Sequence, residues 1–331
     1  MLDPFADLFG TAKATLPKAD AFKLLDAAIP KRSTLPCLRR VKITGEPGYL
    51  TFEGTDLDFA VSVRTENFLD LEGSTTVDWV EFKAKCGTFA ISDMENHPVE
   101  DYPTLPEPAG ESVGVEWLED GLKVLYAVSA DQTRLALQGV YVSTAGAVAT
   151  DGHRLHLVKG SHTADMIVPP KVFRVYKRIG DTPTEAKAST STLHLVYPWG
   201  HITSKLIEGP YPAYKRVIPD SRGRMELMIP LAILKGVASK ACEIEKKCPQ
   251  IDFRDSAISI SNGTGGLHRF ADALLPPGFE IRFDAKYLLD TLATLKGLVT
   301  ISVKAPLAAV LFNPKDAREV RILMPLNPGK K

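Results

Sequence analysis

Cysteine is scarce and scattered: Cys37, Cys86, Cys242 and Cys248 are the only four in 331 residues. No C-x-x-C pair occurs, and the spacing of Cys242 and Cys248 fits no common zinc or redox motif, which argues against a disulfide scaffold or a zinc module. The four are expected to be reduced, mostly buried thiols of a cytoplasmic protein. Long hydrophobic runs are missing too, since no stretch approaches the roughly 20 apolar residues of a membrane span. The opening MLDPFADLFG lacks the basic-then-apolar order of a secretory signal. There is no G-x-S-x-G elbow and no G-x-x-x-x-G-K-[ST] loop. NGTGGLHRF sits between strand-like segments and opens no helix, so it does not read as a phosphate cradle.

Net charge is the last absence: 40 Lys+Arg stand against 40 Asp+Glu. A zero balance argues against a polyanionic partner, but the balance is uneven along the chain. Residues 1–117 hold 11 basic and 20 acidic side chains, residues 118–219 hold 12 and 8, and residues 220–331 hold 17 and 12. What is present is enough apolar material for packed cores, at 44% of residues.

A faint internal repeat has a period of about 110 residues, and such a period must be recognised before the fold can be read. Each third opens on an amphipathic helical pattern: Ala21, Phe22, Leu24, Leu25 and Ala28; then Leu118, Leu122, Leu125 and Val128; then Leu231, Ile233, Leu234, Val237 and Ala241 after Pro230. Extended segments follow each helix: VKITGEPGYLTFEGTDLDFAVSV, QGVYVSTAGAVATDGHRLHLV and IDFRDSAISISNGTGGLHRFADALL. Second helices are expected at 169–180 and 284–297, and closing strands at 192–207 and 299–324. In the first third, VDWVEFKAKCGTFAI is the only candidate for the second helix and later strands, so that helix is expected to be shortened or absent. The pattern predicts an α+β fold of three repeated modules, 1–117, 118–219 and 220–331, each with helices on one side of antiparallel sheets.

Chemistry-bearing residues are few. Asp151, His153 and His156 lie within TDGHRLHL, but a strand around a D-G turn sends the two imidazoles to opposite faces, which disfavours a metal site. No nucleophile, base or metal centre emerges, and neither a cofactor nor an enzymatic activity is expected. The basic residues say more. Lys171, Arg174, Lys177 and Arg178 fall near one helix face, opposite an apolar stripe of Val172, Val175 and Ile179. Lys31 and Arg32 follow the first helix, while Lys235, Lys240, Lys246 and Lys247 decorate the opening helix of the last third. Repetition on successive helices suggests a shared polyanion-facing surface that meets phosphates without reading sequence.

Six phrases then carry a family resemblance: KRSTLPCL (31–38), GTDLDFAV (54–61), ATDGHRLHL (149–157), SKLIEGPYPAYKRVIP (204–219), FDAKYLLDTL (283–292) and ILMPLN (322–327). They stand in the order found in the bacterial sliding clamp, and the chain resembles the beta subunit of DNA polymerase III over nearly its whole length. The resemblance implies three copies of one module per subunit and two subunits closed head to tail into a ring. Its lining helices would face duplex DNA, bound without sequence preference, and the ring would act as a processivity factor. Arg32 and Lys171 match basic positions of the family, whereas Arg174, Lys177 and Arg178 follow from helix geometry.

The resemblance also implies a groove that takes short peptides of the polymerase and the clamp loader. Carried over by position, it is lined by Leu137, Thr150, Gly152, His153, Arg154 and Leu155 of the second module. Pro212, Arg216 and Val217 come from the connecting segment, and Tyr287, Leu307, Ala309, Ile322, Leu323, Met324 and Pro325 from the third module. Apolar walls with a few polar groups suit peptide capture. The chain departs from the family near Cys248, at Asp284 and at its ending, as well as in the short first module. Two competing readings are a clamp-like paralogue that binds clients without closing a ring, and a metal-dependent hydrolase using Asp151 and His153.

Overall fold

A computed structural model describes residues 17–67, 69, 71–85, 94–220, 222–262, 266–273, 275–313 and 315–327. The first third forms α1 (Lys18–Ala28), β1 (Arg40–Glu46), β2 (Tyr49–Thr55), β3 (Phe59–Glu66), β4 (Gly73–Asp78), α2 (Trp79–Lys85) and β5 (Asn96–His97). Next come β6 (Glu111–Val113), α3 (Trp117–Val124), β7 (Val140–Ser143), β8 (Gly146–Thr150), β9 (Arg154–Lys159) and β10 (Met166–Val168). These are followed by α4 (Pro170–Ile179), β11 (Glu185–Ala188), β12 (Thr192–Tyr197) and β13 (Gly200–Lys205). The last third holds β14 (Met225–Pro230), α5 (Leu231–Ile244), β15 (Gln250–Arg254), β16 (Ala257–Asn262) and β17 (Gly266–Asp272). It closes with β18 (Ile281–Asp284), α6 (Ala285–Leu292), β19 (Leu298–Val303), β20 (Val310–Phe312) and β21 (Glu319–Leu323).

The helix and strand signals fall where their residues predict. Pro30 stops α1, whose C-cap is Ile29, and Pro230 is the N-cap of α5. The helix α4 ends on Gly180 at φ 77°, a left-handed cap that glycine adopts without strain. Strands β1 and β2 alternate half-buried and buried residues, as a sheet with one covered face requires. The second helix of the first third is indeed short, at seven residues.

Three expectations are corrected. The helix expected over 284–297 stops at Leu292, and residues 293–297 form a turn and irregular chain. Lys246 and Lys247 lie beyond the end of α5 at Ile244, in the loop that follows, so only Lys235 and Lys240 decorate that helix. The thiols are not mostly buried: Cys248 is exposed and Cys37 and Cys242 are half-buried. Cys86 lies outside the described residues.

The chain forms two compact units, Met1–Leu118 with His162–Glu208, and Glu119–Ser161 with Gly209–Lys331. In unit 1 nine antiparallel strands run in the order β5-β4-β1-β2-β3-β13-β12-β11-β6. The join is β3 on β13, with Val61 opposite Ile202. Phe22 of α1 meets Phe52, Trp79 and Phe82 edge-on, with ring centres 5.2–6.2 Å apart, and closes one core. In unit 2, seven antiparallel strands run β7-β8-β9-β21-β20-β19-β14, and four more run β17-β16-β15-β18. A core of Leu234, Val237, Phe253, Phe283, Leu288 and Phe312 fills the space under α5 and α6. No helix among the described residues is long and apolar enough to cross a membrane.

Candidate functional site

The most elaborated surface on unit 2 is built around β9 and β21, whose pairing sets Leu155 opposite Ile322 and Arg154 opposite Leu323. Leu155 and Ile322 are buried with Val148, Leu157, Tyr214 and Leu311, and Ala309 packs on the same cluster. Leu323 belongs to the larger core, against which Tyr287 also packs. Three apolar groove candidates are exposed: Val217 at 58%, Leu307 at 52% and Met324 at 37%. Pro212, Gly152, His153 and Arg216 are exposed, Thr150 and Pro325 are half-buried, and Leu137 is buried. All sixteen groove candidates therefore fall within one unit, although they come from positions as distant as 137 and 325.

The turn before β9 is held by its own side chains. Thr150 Oγ1 donates to the Arg154 carbonyl at 2.6 Å, and Asp151 Oδ1 accepts from the amides of His153 and Arg154 at 2.9 and 3.0 Å. Gly152 takes the left-handed conformation at φ 90°. Arg154 is only 9% exposed. Its Nε donates to Asp151 at 3.0 Å and its Nη1 to Asp290 at 2.6 Å. The guanidinium lies 4.5 Å from the Tyr287 ring centre and 5.2 Å from that of Tyr126, and both rings favour a cation. His153 stacks on Tyr287 with ring centres 5.6 Å apart. Asp284 caps α6 by accepting from the Lys286 and Tyr287 amides, which aims Tyr287. Arg154 thus braces the wall from behind, while His153, Tyr287 and Met324 present its outer face.

Sequence reasoning missed this bracing. Asp151 and Arg154 share a hairpin and their i,i+3 spacing was a readable signal, but Asp290 and Tyr126 carry none. A second network lies deeper. His156 is fully buried, with Nδ1 at 3.2 Å from the Lys123 carbonyl and Nε2 at 3.2 Å from both Glu319 Oε2 and Arg321 Nε. Burial lowers its pKa, and its hydrogen bond holds Glu319 below the usual carboxylate range. Burial also pushes Tyr126 up to about 12. With both ring nitrogens of His156 engaged, Asp151 bound to Arg154 and His153 against Tyr287, TDGHRLHL offers no set of free ligands. Among the described residues no group of three or more His, Cys, Asp or Glu side chains could hold a metal ion.

On unit 1, α4 buries Val172, Phe173, Val175 and Tyr176 and leaves Arg174, Lys177 and Arg178 exposed. Phe173 meets Trp117 edge-on at 5.8 Å. The cations differ in what surrounds them. Arg178 Nη1 donates to the Lys23 carbonyl at 3.1 Å, and Lys171 Nζ donates to Asp56 at 2.6 Å. Arg174 and Lys177 have no ion-pair or hydrogen-bond partner among the described residues. Arg32 is exposed beyond the end of α1.

Comparison with known proteins gives these surfaces a context. Residues 122–213 match the family described as DNA polymerase III beta subunit, central domain. The chain is 24% identical to the beta sliding clamp of Caulobacter vibrioides, over 96% of this chain and 98% of that one. It is 25% identical to that of Haemophilus influenzae, over 81% and 85%. Among solved structures, the sliding clamp of Bartonella birtlesii bound to griselimycin superposes with a TM-score of 0.81 at 21% identity, covering 95% of this chain and 99% of that chain. A clamp of Caulobacter crescentus gives 0.80 at 23%, covering 93% and 96%. The fold is that of the beta sliding clamps.

Proposed function

We propose that this chain, a relative of the bacterial beta sliding clamps, is a non-enzymatic processivity factor that encircles duplex DNA and tethers a replicative polymerase and other clients. The observation that carries this reading is coverage: similarity runs through 96% of this chain and 98% of a beta sliding clamp, so it extends along nearly the whole length of both. Three modules, 1–117, 118–219 and 220–331, make up the subunit, and two subunits close the ring in the cytoplasm. The exposed cations of α4, with Arg32, meet phosphates, and their small number suits a contact that must slide. Topological linkage then retains the protein on DNA without tight binding.

The clients enter the groove of unit 2. Its buried floor of Leu155 and Ile322, with the exposed Val217, Leu307 and Met324, accepts the apolar anchors of a short peptide. A flexible thioether at the rim suits more than one client. The test is retention on nicked circular DNA after loading. The clamp is expected to stay on the circle and to leave once the circle is cut. Equal release from both forms, with a monomer in solution and intact peptide binding, would instead identify a clamp-like interaction protein that closes no ring.

A further inference from the structure

The turn Thr55–Phe59 of unit 1 repeats the side-chain-to-backbone bonds of the turn Thr150–Arg154 of unit 2. Thr55 Oγ1 donates to the Phe59 carbonyl at 3.1 Å and accepts from the Leu57 amide at 2.9 Å. Asp56 Oδ1 accepts from the amides of Asp58 and Phe59 at 3.1 and 2.8 Å. The third residue is left-handed in both turns, Leu57 at φ 77° and Gly152 at 90°. Even the next strand attaches alike: the Lys205 amide donates to Asp58, as the Met324 amide donates to His153, both at 2.8 Å.

The fifth residue is where the two part. In unit 2 it is Arg154, which takes the second oxygen of the turn carboxylate at 3.0 Å. In unit 1 it is Phe59, which has no donor to offer. Asp56 Oδ2 therefore accepts from Lys171 Nζ of α4 at 2.6 Å, and the ammonium lies 4.5 Å from the Phe59 ring centre. The pair is only partly exposed, 33% at Lys171 and 30% at Asp56, so salt screens it less than an open surface pair.

We infer that Asp56 sets the DNA affinity of α4 by withholding Lys171 from phosphate, so that Arg174 and Lys177 make the contact. This rests on the reading of α4 as a DNA-facing helix. A phosphate would meet a Lys171 whose charge is already compensated by the Asp56 carboxylate and which has one donor engaged. The turn that braces a peptide groove in one unit thereby moderates a polyanion contact in the other.

The test measures full-length protein binding to duplex DNA as a function of salt. Asp56→Asn preserves the Oδ1 acceptor of the turn and releases Lys171. The expected result is tighter binding at low salt and a log–log salt slope steeper by about 0.9, the increment for one added phosphate contact. In Asp56→Asn with Lys171→Met the increment disappears. Asp58→Asn, an equal charge change at the neighbouring carboxylate that faces Lys205 at 2.9 Å, gives a smaller change. In the native background Lys171→Met costs less affinity than Lys177→Met, a comparison that stands even if Asp56→Asn fails to fold. Equal losses from those two lysines would overturn the inference, as would a gain in Asp56→Asn that survives Lys171→Met. If Arg174→Ala and Lys177→Ala leave binding untouched, it is the DNA-facing reading of α4 that fails instead.

Discussion

The turns at Thr55–Phe59 and Thr150–Arg154 have the same side-chain-to-backbone bonds and different neighbours. In unit 2 the arginine at the fifth position closes the circuit locally and presents Tyr287 and His153 outward. In unit 1 a phenylalanine leaves the carboxylate to find a lysine on a helix. A turn's backbone geometry and the destination of its charge are thus separate properties. The first depends on Thr and Asp two or three positions before the amides they bind; the second depends on one side chain.

The largest expected effect separates the two turns by removing Arg154. Arg154→Ala leaves Asp151, its side chain only 11% exposed, without its cation, and should cost unit 2 about 3 kcal/mol in urea unfolding. A sequence reading alone expects this residue to act on clients with the fold unharmed; its 9% exposure and two carboxylate partners add a structural cost. A loss below about 1 kcal/mol would show that the turn stands without its arginine, and the contrast with Phe59 would dissolve.

A comparable effect is read by pH in unit 1, while the buried His156 of unit 2 shifts in the same direction. His201, on β13 of unit 1, is 4% exposed, and burial, followed by the nearby His194, lowers its pKa to about 4. A histidine whose folded pKa lies below its unfolded value of about 6.5 contributes stability that is fully present above that pH and is lost as pH falls towards 4. The loss amounts to about 3 kcal/mol at the acid end. His194 shifts in the same direction, again by burial first. Hydrogen exchange between pH 7 and 4 should therefore show weakening of β12 and β13, and His201→Phe should flatten that dependence. An unchanged acid profile in the variant would remove His201 as the cause.

The smallest effect concerns the left-handed position. Gly152→Leu would cost about 1–2 kcal/mol from backbone strain. Its Cβ would also stand 3.1 Å from Arg134 Nη1. The reciprocal Leu57→Gly relieves the same strain but adds unfolded-chain entropy, for a net gain below about 1 kcal/mol. Thermal unfolding of the two variants reads the difference. If Gly152→Leu is neutral, the two turns are interchangeable at this position and their divergence lies wholly in the fifth residue.

Much of the fold was legible. The apolar stripe of α4, Pro30 after α1 and Pro230 before α5 are local devices, and each acted as its chemistry directs. The end of α6 was not legible, because TLATLKG has helical propensity and tertiary packing of Leu295 in irregular chain overrides it. Lys171 was legible as one of four basic residues near one helix face, but its ion pair was not, since nothing in its neighbourhood points to Asp56, 115 residues earlier. Arg154 was recognised as a groove residue, but its second carboxylate comes from 136 residues later.

The sequence by itself determined the three helix-and-strand cycles and the two Thr-Asp turns, because their hydrogen bonds close within five residues and depend on residue type alone. Tertiary structure decided which charges remain available to a partner. Ionic attraction acts through space, and packing brings Arg154 of β9 to Asp290 of α6, and Lys171 of α4 to Asp56 in the turn before β3, within 3 Å across more than a hundred residues of chain.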